Sequence, residues 1–353
     1  MKKNSFLLIA AAAMLTVSCS NDVVNNELNR DVISVRATLS KMSKGVLVDG
    51  SNLGQFSLYA SHGDSAVIPQ CSARVDGQGL TSGYGYHYWP QDNGAVPVKF
   101  FAWGPNDSKN GGQVNATDNV TFTVQPNDDV DTQVDFVFAN TQKDLNSGKN
   151  GVNLYFRHAL SQIVVKVRNS QPNYKFNVRG WKMVYLDKNG KFTYTGSSTD
   201  EIVTLNKSYW SENTDAAIAN YYSKTLGSTE LVTSADTIQL AGNMLLVPQD
   251  VNKATGYTSA TAGSPLNGSY IAILMNIVEA STDNELKPEQ WCCWPVDFAW
   301  NPGYKYIYTV DLGGGGYHET TSGGTDPQPV IDMISIIPVL PDWIEYPIDV
   351  VLP

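Results

Sequence analysis

Cysteine is scarce. Four residues in 353, at positions 19, 71, 292 and 293, are too few for a disulfide scaffold in a chain of this length. Histidine is as rare, and His62, His87, His158 and His318 are scattered, so no ligand spacing for a metal appears and no cofactor is expected. Basic charge is also short: 24 Lys and Arg face 34 Asp and Glu, a formal net charge of -10. Nucleic-acid phosphates would be repelled, which excludes that partner. The apolar run at 6–17 falls short of the roughly 20 residues that a membrane-spanning helix needs. Catalytic signatures are missing too. There is no GxSxG elbow and no GxxxxGK[ST] loop, and the glycines at 313–316 have no following lysine with which to hold a phosphate. The acidic pairs Asp128/Asp129 and Asp200/Glu201 sit in polar, turn-like surroundings, where solvated turns are expected rather than a glycosidase pair. No enzyme is expected.

Helical periodicity is sparse as well, with one amphipathic helix conceivable around 215–226. What fills the chain is a series of short runs rich in Val, Ile, Tyr, Phe and Thr, among them ISVRATL, QFSLYA, VKFFAW, VTFTV, IVVKV, IAILMNIV and YKYIYTVDL. Punctuated by Gly, Asn, Asp and Ser, these read as strands of an all-β fold built from antiparallel sandwiches or barrels. DKNG at 187–190 reads as the turn of a hairpin between KMVYL and KFTYT. The polar stretch NTQKDLNSGKNG at 140–151 separates two strand-rich halves, and 313–329 is too rich in Gly, Thr and Pro to pack. Beyond it, VIDMISIIPVLPDWIEYPIDVVLP is apolar but carries Pro338, Pro341 and Pro347. Proline lacks a ladder donor, so such strands pair on one side only. This tail at 330–353 can pair with its own domain or with another molecule.

Three local patterns raise sharper expectations. In GVNLYFRHALSQIVVKV (151–167) the apolar positions change parity near Ser161 and Gln162, which predicts a β-bulge. His158, in line with the apolar face, is expected to be a core histidine bonded to a neighbour. The aromatic clusters GYGYHYWP (83–90) and WCCWPVDFAW (291–300) alternate as sandwich cores do, although they could also stack on sugar rings. Adjacent Cys292 and Cys293 should face opposite sides of a strand, one buried and one partly exposed.

The first residues, MKKNSFLLIAAAAMLTVSCSND, have the basic start, apolar run and small residues of an export signal. Ser18 and Cys19 resemble a bacterial lipoprotein box, which makes 1–19 the signal and Cys19 the lipidated residue, held to the outer membrane. Four stretches, YWPQDNGAVPVKFFAWGP (88–105), LYFRHALSQIVVKV (154–167), GNMLLVPQ (242–249) and WNPGYKYIYTVDLGGG (300–315), together resemble the fimbrillin-like proteins of Bacteroidota, the pilins of type V fimbriae and their accessory subunits. The resemblance implies two transthyretin-like β-sandwich domains in tandem, here 20–145 and 146–353. It also implies a route of assembly in which a protease removes the first strand and the tail strand of another subunit fills the groove. DVISVRATL (31–39) suits the first strand, with Arg36, Lys41 and Lys44 as candidate cleavage points. Ile334, Ile336, Ile344, Ile348 and Val350 are the candidate donor-strand anchors. The partners implied are other fimbrial subunits and a host or bacterial surface ligand. A different class is also open: a monomeric surface lipoprotein acting as a carbohydrate-binding or adhesive module.

Overall fold

A computed structural model describes residues 31–39, 53–75, 81–92, 94–104, 113–194, 205–212, 217–252, 254, 268–318, 329–331 and 336–338. Its strands, in chain order, are β1 (Val35–Leu39), β2 (Gln55–His62), β3 (Ser65–Val75), β4 (Thr81–Ser82), β5 (Val98–Gly104), β6 (Gln113–Asp118), β7 (Thr121–Gln125), β8 (Val137–Lys143), β9 (Val152–His158), β10 (Ser161–Arg168), β11 (Tyr174–Leu186) and β12 (Gly190–Thr193). They continue with β13 (Trp210–Glu212), β14 (Ala217–Val232), β15 (Thr237–Leu246), β16 (Asp250–Val251), β17 (Tyr270–Glu279), β18 (Glu285–Pro295), β19 (Phe298–Ala299), β20 (Lys305–Asp311), β21 (Gly316–His318), β22 (Pro329–Ile331) and β23 (Ile336–Pro338). Among the described residues the α-helical content is a single turn, α1 (Leu145–Gly148), whose Asp144 and Ser147 form a capping box. The fold is all-β.

The N-terminal sheet runs β1-β9-β8-β5-β2-β3-β4. β5 is its centre, with Phe100 and Ala102 facing one core and Phe101 and Trp103 the other. On the first face the sheet curls on itself. β2 and β9 are separated by two strands, about 14 Å across a flat sheet, yet Phe56 and Phe156 meet edge to face at 5.1 Å. On the second face the sheet β13-β12-β7-β6 closes over an aromatic core of Phe101, Trp103, Phe122, Phe136, Phe138 and Phe192. Further along the chain, β14-β11-β17-β18-β21-β22 and β15-β10-β20-β23 share one core centred on Trp181, Met183, Trp294 and Trp300.

The parity change at 159–162 has a different cause from the expected bulge. β9 pairs with β8 and β1, whereas β10 pairs with β15 and β20. The chain thus leaves one sheet at His158 and enters another at Ser161, so the inward side reverses. The corner is fixed by Ala159 N–H donating to Phe136 O at 2.8 Å and Gly303 N–H donating to Leu160 O at 2.8 Å. The irregular pairing on β10 lies later, around Ile163 to Lys166. Segment 140–151, read as the join of two halves, connects β8 to β9 within one sheet, and sheet membership changes after it.

Other expectations fail for similar non-local reasons. DKNG is no hairpin: β11 pairs with β14 and β17, while β12 pairs with β7 and β13, so the turn carries the chain between sheets. Gly190 is required by packing, since a Cβ there would lie 2.5 Å from Val247 Cγ1 and 2.9 Å from the Trp210 ring. From Ala217 on, the stretch read as a helix lies in edge strand β14, paired along β11. Cys292 and Cys293 do face opposite sides, but both are buried, because Val184, Ala254, Tyr270 and Ala272 cover the second face. Burial pushes the Cys292 thiol up to about 12.

His158 is the core histidine expected, its Nδ1 bonded to the carboxylate of buried Asp135. Burial acts to lower its pKa, but the charge and hydrogen bond of Asp135 outweigh burial and hold it above 6.5. The folded chain therefore binds this proton more tightly than the unfolded chain does, and the stabilisation is complete below pH ~6.5 and fades as pH rises through the higher folded value. Thermal melts across pH 6–9 should show this alkaline decline, and His158→Gln should flatten it.

Candidate functional site

The first strand lies in a groove made by β9 on one side and, on the other, by the segment 84–89, a strap across its open edge. Its alternation is the one the sequence carries: Ile33, Val35 and Ala37 are 1%, 2% and 5% exposed, whereas Ser34 and Arg36 point to solvent. The three buried side chains enter the core of Phe56, Leu58, Val98, Phe100, Leu154 and Phe156. From Val35 to Leu39 the strand pairs in parallel with Val152 to Phe156, and Val152 N–H donates to Ser34 O at 2.7 Å.

The opposite side of the strand is covered as well. Ile33 N–H donates to His87 O at 2.8 Å, and Trp89 N–H donates to Asp31 O at 3.0 Å, with Val32 and Tyr88 forming an antiparallel bridge. One residue further the strap turns away, and the Tyr84 hydroxyl takes over, accepting from Val35 N–H at 3.0 Å and donating to Ile33 O at 3.3 Å. Gly83 and Gly85 flank it with φ of 89° and 80°, a left-handed conformation that favours glycine. Burial pushes the Tyr84 phenol up, which keeps its proton available for donation. At the far end of the strap Trp89 is buried against Phe100 at 6.0 Å and against Gly148, where a Cβ would come within 2.3 Å of the indole. The side chain of Asp92 then ties the following turn down, accepting from Gly94 N–H and Val96 N–H and pairing with His62 at 3.0 Å.

Of the residues expected to matter, Arg36 lies within β1, exposed and paired opposite Asn153. Ile336 opens β23, opposite Val310. Cys19, Lys41, Lys44, Ile334, Ile344, Ile348 and Val350 lie outside the described residues. The two described pieces of the tail sit on the chain's own sheets: β22 adds to β21, and β23 adds antiparallel to β20. Each spans three residues. The strap was missed as a partner of the first strand. GYGYHYWP reads as core aromatics, and the one local hint was the pair of glycines around Tyr84. Trp89, Trp294 and Trp300 are buried as expected of core packing, while Tyr86 is exposed.

Among the described residues no cluster of His, Cys, Asp or Glu could hold a metal ion, and no helix is long and apolar enough to cross a membrane. No curated relative matches at the level of sequence. Solved structures similar in course include the following three. One is a candidate cell adhesion protein of Bacteroides ovatus, 13% identical, covering 90% of this chain and 99% of its own, with a TM-score of 0.45. The fimbrial anchor protein Mfa2 of Porphyromonas gingivalis is 12% identical, with 89% and 100% covered and a TM-score of 0.36. A fimbrilin (fimA) of Porphyromonas gingivalis is 10% identical, with 90% and 98% covered and a TM-score of 0.41. The sequence profile described as fimbrillin-like matches residues 55–326. By that match, which spans most of its length, the chain belongs to the fimbrillin-like family.

Proposed function

We propose that the chain is a structural or accessory subunit of a type V fimbria, carried to the outer membrane by a lipid on Cys19 and joined to its neighbours by protease-triggered strand exchange. Membership of the family makes it a structural protein of fimbriae or surface adhesion rather than an enzyme. In this reading residues 20–145 and 146–353 form two transthyretin-like sandwiches, the first completed by β9, β12 and β13 from beyond residue 146.

The observation that carries the proposal is the seating of 31–39. Three of its side chains complete a core whose remaining members all come from residues 53 and beyond, and the connection runs through 40–52, which contains Lys41 and Lys44. A cut there leaves the strand held by non-covalent contacts alone. Its loss would open an apolar groove and an unpaired edge on β9, which strand addition from another molecule would close. Each aliphatic anchor of an incoming strand contributes about 1.5–3 kcal/mol when fully buried, against about 1–2 kcal/mol per residue for ordering its backbone. Ile334, Ile336, Ile344, Ile348 and Val350 of a neighbour's tail are the available anchors. The three-residue ladders of β22 and β23 hold the tail at home by few bonds.

Those same ladders favour the second reading, a monomeric surface lipoprotein with an adhesive role, in which strand and tail never leave. One experiment separates the two. The purified full chain is treated with trypsin, run unboiled on a denaturing gel, and the products are sequenced from their N-termini. A ladder of detergent-resistant multimers after a cut between Arg36 and Lys44 is the result expected of strand exchange. A clipped species that stays monomeric would overturn it and favour the adhesive module.

A further inference from the structure

The hydrogen bonds around the first strand divide by parity. Odd residues turn their backbone groups to the strap: Asp31 O to Trp89 N–H, Ile33 N–H to His87 O, and Ile33 O and Val35 N–H to the Tyr84 hydroxyl. Even residues face β9, as Ser34 O does towards Val152 N–H. Nothing on the strap side reads a side chain of the strand in these bonds, because every contact is to its main chain. A phenol that both accepts and donates fits an N–H and a C=O two residues apart on any sequence.

We infer that Tyr84 is a backbone clamp for whichever strand occupies this groove, and that it sets the register of the strand that replaces the first one. A strand seated as 31–39 is must offer an N–H at the place of Val35 and another at the place of Arg36, where even residues bond to β9. Proline is therefore excluded from both places, while apolar side chains are needed at the places of Ile33, Val35 and Ala37. This rests on the strand-exchange reading and narrows it to one piece of the tail. With Ile344, Tyr346 and Ile348 inward, Pro347 falls at the place of Arg36 and the ladder is broken. With Ile334 and Ile336 inward, Ile336 would have to leave β20, on which it opens β23. With Tyr346, Ile348 and Val350 inward, Pro347 falls at the place of Ser34, whose backbone faces β9. With Ile348, Val350 and Leu352 inward, the places of Ile33 to Ala37 hold no proline and three apolar side chains point inward, with Pro353 beyond them at the place of Thr38. The structure assigns 348–352 of a second copy to the groove, with Val350 under Tyr84.

Two readouts test this. In the full chain carrying Tyr84→Phe, amide exchange at Val35 should accelerate roughly five- to fifteenfold, the effect of losing one or two net hydrogen bonds, with β5 and β8 unchanged. Unaltered exchange at Val35, or acceleration spread through β5 and β8, would overturn the clamp. For the register, a labelled peptide of residues 342–353 is added to the full chain carrying Val35→Asp, whose own strand is unseated. Binding of this peptide together with at least tenfold weaker binding of its Val350→Pro form supports the assignment. Equal binding of the two overturns the register, and binding of neither overturns the tail as occupant while leaving the clamp to stand on the exchange result.

Discussion

Val35→Asp is expected to unseat the first strand while the rest of the chain stays folded. Val35 is enclosed by the core of Phe56, Phe100, Leu154 and Phe156, with no charged partner in that cluster. Burying a carboxylate there without compensation costs several kcal/mol, among the largest effects a single substitution produces. The cost has an upper limit, however, because the chain can escape it. The strand leaves the groove, the side chain reaches water, and the penalty becomes the loss of Ile33, Val35 and Ala37 from the core together with the strap bonds. Trp89 shares this core with Ile33, Val35 and Ala37, so as the strand leaves, its indole meets water and should shift to a wetter emission. The clearest readout is proteolysis after Arg36, which is exposed but locked in a ladder with β9. If cleavage tracks the open population, it should accelerate roughly a hundredfold or more for a penalty of this size. Val35→Ala, which removes methyl groups without adding charge, should give a far smaller increase. Cleavage at the wild-type rate in Val35→Asp would mean that the strand is not seated as described.

The seating of that strand was legible in advance because period-two alternation is a local property. Ile33, Val35 and Ala37 fall on one parity whatever the strand pairs with, and β9 shows the same with Val152, Leu154 and Phe156 buried in turn. What the sequence hides is which sheet receives each strand. A two-residue corner that moves the chain from one sheet to the next reverses parity as a bulge does, so 159–162 could not be told apart by pattern alone. Residues 215–226 include three Ala, a Leu and a Lys, all good helix formers, yet from Ala217 on, pairing with β11 and the burial of Tyr222 in the core around Trp181 override that preference. Cys293 illustrates a third limit. Its burial depends on Ala254 and Tyr270 arriving from elsewhere in the chain, and no feature of WCCW announces them. The strap's bonds to the first strand are hidden for the same reason, since they join groups some 50 positions apart, as the Tyr84 hydroxyl and the Val35 N–H are with a separation of 49.

A substitution in the second core of the N-terminal sheet should behave in the opposite way, because no local release is open to it. Phe122 on β7 is ringed by Trp103 at 5.0 Å, Phe136 at 5.5 Å, Phe138 at 5.7 Å and Phe192 at 6.1 Å. These neighbours come from both sheets that enclose the core. Phe122→Ala removes a ring that all four contact, and rings fixed on separate strands cannot all move in to fill the space. A loss of about 3–5 kcal/mol is expected, the usual range for a large aromatic truncated in a packed core, with the edge-to-face contact to Phe138 and the three tilted ring contacts included in it. Denaturant unfolding followed by near-ultraviolet dichroism should show the midpoint falling in one cooperative step. The core also contains Trp210 on β13, Leu245 on β15 and Val247 just after β15, so the loss should propagate into the second half. Early melting confined to β6 and β7, with β12 and β13 still protected from amide exchange, would show instead that the two halves do not share this core energetically. By contrast, tryptic cleavage after Arg36 should change little in Phe122→Ala below the unfolding midpoint. The first strand packs on the opposite face of the sheet, and its bonds to β9 and Tyr84 are untouched. The pair of variants thus separates a strand that can leave its groove from the body that stays folded without it.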